Sequence, residues 1–179
     1  GHPQNHLTRH KVAPALAERF TVVAADLRGY GDSGKPASTP DHLPYSKRVM
    51  ARDQVAVMRS LGHERFAVVG HDRGGRVAHR MALDHPDAVE RLAVLDIAPT
   101  ATMYARTDKE FATRYFWWFF FIQDAPLPER MIEADAEFFL RHHLMVQSRM
   151  PGVPAEPLIQ ETRKCVEEKV VENADLADA

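Results

Sequence analysis

The six residues Gly70-His71-Asp72-Arg73-Gly74-Gly75 constrain this chain more than any other stretch. They follow a short apolar run at residues 66–70 and precede an amphipathic segment at 74–85, with Val77, Ala78, Met81 and Ala82 on one face. A strand that turns directly into a helix brings two backbones into near contact. Gly70 and Gly74 are expected to supply the space. The central residue, Asp72, then sits on a tight, strained turn at the strand's carboxyl end, with the positive end of a helix behind it. A carboxylate there can attack carbon directly and form an ester that water later opens. It cannot perform the proton-assisted acyl transfer of a serine. The chemistry indicated is displacement at an sp³ carbon, a carbon–halogen bond or an epoxide. Read alone, the same residues are also a glycine-rich turn with a helix-capping aspartate.

The flanking pattern sets the fold class. Residues 20–26 form a β-branched apolar run and read as a strand buried on both faces. A glycine-rich loop, Arg28-Gly29-Tyr30-Gly31-Asp32-Ser33-Gly34, follows. Residues 45–61 read as a helix with Met50, Val57, Met58 and Leu61 as its apolar stripe and Gly62 as its stop. Residues 66–70 and 92–95 read as two further buried strands, and the helix between them ends before Pro86. Strand–helix–strand alternation with short connections predicts an α/β fold with a parallel sheet. Beyond Asp96-Ile97-Ala98-Pro99 no strand run appears. Aromatic helical segments dominate, broken at Ala125-Pro126-Leu127-Pro128, with Pro128 suited to a first helical turn. The expected organisation is a partial core over residues 1–100 and a helical cap over 101–179, with a divergent acidic tail from about residue 165.

Composition narrows the partners. A formal net charge of −2 gives no basic excess for nucleic acid or an anionic membrane. The single cysteine, Cys165, cannot form an internal disulfide, which suits a reducing compartment. The apolar run at residues 117–122 is too short to span a bilayer and reads as buried lid or interface. No signal peptide is recognisable, so the cytoplasm is the default expectation.

Several motifs together carry a family resemblance. They are Gly1-His2-Pro3-Gln4, Asp26-Leu27-Arg28-Gly29-Tyr30-Gly31-Asp32-Ser33, the elbow with its following Arg76, Asp96-Ile97-Ala98-Pro99, and Gln123-Asp124-Ala125-Pro126-Leu127-Pro128. With them the chain resembles the haloacetate (fluoroacetate) dehalogenase group of the α/β-hydrolases over residues 1 to about 150. The fold implied is a partial α/β-hydrolase core, with central strands of a parallel sheet, carrying a helical cap. The resemblance implies Asp72 as the nucleophile, Arg73 and Arg76 as ligands of a substrate carboxylate, and Asp96 as the acid that orients a catalytic histidine. It implies Trp118 as a donor to the departing halide, and the backbone N–H groups of His2 and Arg73 as an oxyanion hole. A guanidinium fork suits a carboxylate, and Arg76 lies one helical turn from Asp72. The plainer alternatives are a solvated Arg76, an Arg73 paired with Asp72, a loop-capping Asp96 and a packed Trp118. No metal or organic cofactor is implied. The expected partner is a small carboxylate substrate, and a homodimer is among the assemblies allowed. Where defluorinating members carry His-Trp this chain has Trp117-Trp118, which implies a preference for larger halides than fluoride.

The resemblance also leaves gaps. The catalytic histidine is expected downstream of the last residue, and the chain reads as truncated at both ends. His71 is expected to point away from the nucleophile, and His142 and His143 to be solvated or packed on the lid. The strand leading into Gly1 is expected between those of residues 21–26 and 66–70. Its lack would leave buried backbone groups unpaired at about 1–3 kcal/mol each, so the chain alone is expected to be poorly stable and inactive as a dehalogenase. Two other readings remain: an epoxide hydrolase using Tyr104 or Tyr115, and a non-catalytic chain that only binds carboxylates.

Overall fold

Two parallel strands, β1 (Phe66–His71) and β2 (Val89–Leu95), pair from Ala67 opposite Arg91 to His71 opposite Leu95. They belong to a computed structural model that describes residues 1–148 and Gln160. Cys165 and the expected acidic tail lie outside the described residues. The described chain forms two compact units, one built on Pro36–Pro128 with Gly1–His2, the other on Pro3–Lys35 and the residues from Glu129 onward.

In the first unit, α2 (Lys47–Ser60) begins where the Ser46 hydroxyl accepts the Val49 N–H, and ends before Gly62, whose φ of 84° suits a residue without Cβ. α3 (Arg73–Asp84) packs against α2 and against both strands. The core between the helices is Met50, Ala51 and Val55 from α2 with Val77, Ala78 and Met81 from α3. Burying a side chain such as Met50 or Met81 contributes about 1.5–3 kcal/mol. This corrects the expected stripe on α2. Met50 is buried, but Val57 and Leu61 are exposed, and Ala51 and Val55 take the inner positions. Beyond β2 the first unit continues as α4 (Thr100–Ala105), α5 (Lys109–Arg114) and α6 (Phe116–Phe121), with Phe120 and Phe121 buried.

The second unit holds α1 (Ala13–Ala17), most of α7 (Leu127–Ala134) and α8 (Ala136–Ser148). Pro128 falls in the first turn of α7, and Ile132, Phe139 and Leu140 are buried. The glycine-rich loop folds onto Asp26. That carboxylate accepts the His6 N–H at 2.5 Å and faces His6 Nδ1 at 2.8 Å, and the Ser33 hydroxyl donates to the Asp26 carbonyl at 2.7 Å. Gly31, at φ 48°, lies so close to Asp26 that a Cβ would overlap its carboxylate.

Two strand expectations are corrected. Residues 20–26 form no strand, and Phe20 and Val23 are exposed. A strand exists through a hydrogen-bonded neighbour, and among the described residues only β1 and β2 pair. Nor are β1 and β2 buried on both faces: Val69, Leu92, Val94 and Leu95 are exposed. A strand side chain is buried only where another element covers its face, and α3 is the helix packed on both strands.

The two helices are also joined at their surface. Asp84 accepts from Arg80 Nε at 2.8 Å and from Arg48 Nε on α2 at 3.1 Å. The Arg80 hydrogen bonds, more than Arg48, hold its carboxyl below the usual value of 3.8. A lowered carboxyl contributes stability that is present above its unfolded value and lost as pH falls through its folded value. The Asp84→Asn variant should therefore be less stable than wild type at pH 7, and the difference should begin to shrink as pH falls below about 3.8 and be gone once pH is below the folded value. Urea midpoints across that range check it.

Candidate active site

β1 ends at His71 and α3 begins at Arg73, so Asp72 alone makes the turn. Its N–H donates to the Leu95 carbonyl at 3.1 Å, which ties the turn to the end of β2. Its own carbonyl accepts the N–H groups of Gly75 at 2.9 Å and Arg76 at 3.2 Å, which starts the helix. The backbone takes φ 51°, ψ −122°, a conformation costing about 1–3 kcal/mol for a residue with a side chain.

The close approach belongs to Gly70 and Gly75. A Cβ on Gly70 would lie 2.7 Å from Gly75 Cα and closer still to the Gly74 carbonyl. One on Gly75 would lie 3.1 Å from Ile97 Cδ1. A Cβ on Gly74 meets nothing within 4 Å. The space expected from Gly70 and Gly74 is therefore supplied by Gly70 and Gly75.

The Asp72 side chain does not cap α3, which removes the capping alternative. Instead Oδ1 accepts the backbone N–H of His2 at 2.7 Å. Gly1 lies against the same group: a Cβ there would sit 2.9 Å from Asp72 Cβ and 3.0 Å from both Asp72 Oδ1 and His71 Nδ1. One carboxylate oxygen is thus held by a fixed backbone donor. Arg73 opens α3 beside it and is half-buried.

Arg76 is not a solvated helix residue. Its Nη1 donates to the Thr100 hydroxyl, and its Nη2 lies 3.5 Å from Met103 Sδ, both on α4. Its guanidinium carbon stands 4.2 Å from the ring centre of Trp118 on α6. Tyr104 packs beside Trp118, ring centres 5.5 Å apart, with its hydroxyl buried. Tyr115 is exposed and stacks on Phe111. Trp117 packs on Phe120 and Phe121, and Phe121 meets the His2 ring at 4.9 Å.

Asp96 follows β2 at φ 55°, with its side chain 82% exposed and 3.8 Å from His71 Nε2. His71 therefore faces the acid expected to serve a catalytic histidine. On α8, His143 is buried against Phe139, while His142 is exposed and stacks on Phe138. Sequence reasoning missed Gly75's role and the part of Thr100 and Met103. The spacing of Thr100 and Met103 by three on α4 could have flagged one shared face, but not which residue that face meets.

The α/β hydrolase fold family model matches residues 1–153. The chain belongs to the α/β-hydrolase family. It is 58% identical over 139 residues to a fluoroacetate dehalogenase from Burkholderia sp, a match covering 78% of this chain and 46% of that protein. It is 48% identical over 99 residues to a soluble epoxide hydrolase from Corynebacterium sp. (strain C12), covering 55% of this chain and 33% of that one. A Nostoc sp PCC 7120 structure, described as an alpha/beta hydrolase, superposes with a TM-score of 0.91 at 56% identity, over 96% of this chain and 59% of that one. The chain thus spans about half the length of the Burkholderia protein and of the Nostoc structure, 46% of one and 59% of the other. No helix among its described residues is long and apolar enough to cross a membrane.

The strain at Asp72 can be separated from its chemistry. Asp72→Ala and Asp72→Gly both lack the carboxylate, but only Gly accepts φ 51° without cost. The usual order should invert, with the Gly variant about 1 kcal/mol more stable than the Ala variant by denaturant unfolding. On either side of Asp72, Gly70→Ala in β1 should cost about 2 kcal/mol, while Gly74→Ala in α3 should be neutral or slightly stabilising.

Proposed function

We propose that Asp72 is the nucleophile of a hydrolytic dehalogenase for short 2-haloacids, acting in the full protein with the helices after residue 100 as its cap. The observation that carries this reading is the Asp72 carboxylate, turned out of the helix and held through Oδ1 by the His2 N–H. Oδ1 being held, Oδ2 is the oxygen placed to attack. It displaces halide from the halogen-bearing carbon, and the bond formed is an ester at Asp72. The carbonyl oxygen of that ester is Oδ1. Water then adds to the ester carbon, and the charge develops on Oδ1, already bonded to its donor. Collapse releases the 2-hydroxyacid and a proton and restores the carboxylate. The base for that water is a histidine that this reading places downstream. Asp96 would orient it.

Arg73 and Arg76 bind the substrate carboxylate in this reading, and Trp118 donates its indole N–H to the halide. The 58% identity to a fluoroacetate dehalogenase supports a haloacid as substrate. Trp117 packs against Phe120 and Phe121, and its single indole donor on a large ring supports chloride or bromide over fluoride. A cytoplasmic enzyme without metal or organic cofactor, acting on a small carboxylate and not on nucleic acid or membrane, completes the proposal. A homodimer is the assembly it allows.

One observation favours a second reading. Tyr104 lies beside Trp118, and an epoxide hydrolase of this fold needs a phenol to protonate the epoxide oxygen. The epoxide hydrolase relative points the same way. Two arginines at the elbow favour the haloacid, because an epoxide has no carboxylate for them to hold.

The test is covalent trapping. Exposing the chain to chloroacetate should give a carboxymethyl ester that peptide mass spectrometry locates on Asp72, and none in Asp72→Asn. Styrene oxide should give no adduct. An adduct elsewhere, or on Asp72 only with the epoxide, contradicts the haloacid reading. In the full protein, Arg76→Lys should lower kcat/KM for chloroacetate about tenfold or more, since a point charge does not replace the fork.

A further inference from the structure

A displaced halide departs with the electron pair of its carbon–halogen bond, and a donor already aimed at it stabilises that charge as it develops. In the reading above the donor is the indole N–H of Trp118, which bonds to no described residue. The backbone of Trp118 is fixed, its own N–H donating to the Tyr115 carbonyl at 2.9 Å where α6 begins. The ring still has two torsions, and a hydrogen bond weakens steeply when its donor swings out of line. The aim of the indole therefore depends on what its ring leans against.

Two groups meet that ring. The Arg76 guanidinium carbon stands 4.2 Å from its centre, and the Tyr104 ring lies 5.5 Å away at an interplanar angle of 32°. An arginine on its flexible stem can follow the indole if it turns. A tyrosine has two torsions and is stiffer. Tyr104 sits in the last turn of α4 with its hydroxyl buried, and its ring meets Phe119 of α6 edge-on at 6.3 Å. Phe119 meets Phe111 of α5 edge-on at 6.3 Å. The indole thus leans on a ring that belongs to a cluster joining three helices.

We propose that Tyr104 is a positioning residue whose ring sets the plane of the Trp118 indole and so aims its N–H at the departing halide. The ring carries this role, not the phenol hydroxyl. The indole N–H bond stays intact throughout: the halide accepts a hydrogen bond and takes no proton. The inference rests on the reading of Trp118 as halide donor, and the experiment separates the two.

The measurement is halide release in a single turnover of the full protein at saturating chloroacetate or bromoacetate, which reports the displacement step alone. Tyr104→Leu removes the ring. It should slow chloride release about tenfold, the size expected when one hydrogen bond to a charged group is lost. Bromide is the better leaving group and leans less on the donor, so its release should slow only about threefold, and the bromide-to-chloride ratio should rise about threefold. Tyr104→Phe keeps the ring and should release both halides within about twofold of wild type. If Tyr104→Leu proves unfolded by circular dichroism, Tyr104→Met, whose side chain adapts to irregular gaps, must show the same pattern.

Chloride release at the wild-type rate in a folded Leu or Met variant overturns the proposal. So does an equal loss for both halides, which would mean a general loosening of the site. A Phe variant as slow as Leu overturns it too, because the hydroxyl would then be the operative group. Trp118→Phe tells the two ideas apart. If it releases chloride as wild type does, the donor reading fails and the inference falls with it. If it is slowed while Tyr104→Leu is not, the donor stands and Tyr104 has no part in aiming it.

Discussion

The structure depends on how closely the end of β1 approaches the start of α3. Gly70 and Gly75 carry no Cβ, and neither could without moving backbone or Ile97. That approach leaves one residue to make the turn, and the turn forces Asp72 to positive φ. The strain has a consequence for the side chain. A relaxed N-cap aspartate would bond back to the helix. At φ 51°, ψ −122°, Asp72 turns its carboxylate elsewhere, to the N–H of His2. Geometry that is unfavourable for folding is what turns the Asp72 carboxylate away from the helix.

The contacts described for Asp72 and Arg76 are made with neutral groups. The donor on Asp72 is a backbone N–H, and the contacts described for Arg76 are a hydroxyl, a thioether and an indole face. In the proposed reading, a nucleophilic carboxylate and a carboxylate-binding guanidinium one helical turn apart would lose their purpose by neutralising each other. Elsewhere on α3 the sequence does the opposite. Arg80 and Arg48 close on Asp84 in an exposed ion-pair network whose role is to join α2 to α3.

The elbow was legible because its constraint is local: glycines on both sides of one residue, between a strand pattern and a helix pattern. The extents of α2 and α3 were legible within a few residues, for Gly62 and the run before Pro86 mark their ends. Which residues face inward on α2 was less so. Val55 and Ala51 lie on the side that α3 covers, and the larger Val57 and Leu61 do not, so partner position outweighed size. Residues 20–26 have the composition of a strand, but a strand is a relation between two segments, and composition does not supply the second. The contacts of Arg76 were out of reach for a similar reason. Thr100 and Met103 are 24 and 27 residues away and carry no motif.

The central claim is that the oxygen delivered to the substrate comes from Asp72. A single turnover of chloroacetate by the full protein in ¹⁸O-water measures it directly. Attack by Asp72 predicts that the first glycolate carries unlabelled oxygen from the protein and that ¹⁸O appears in the peptide containing Asp72. Label in the first glycolate, with none at Asp72, would mean that water attacks the carbon itself and would contradict the account.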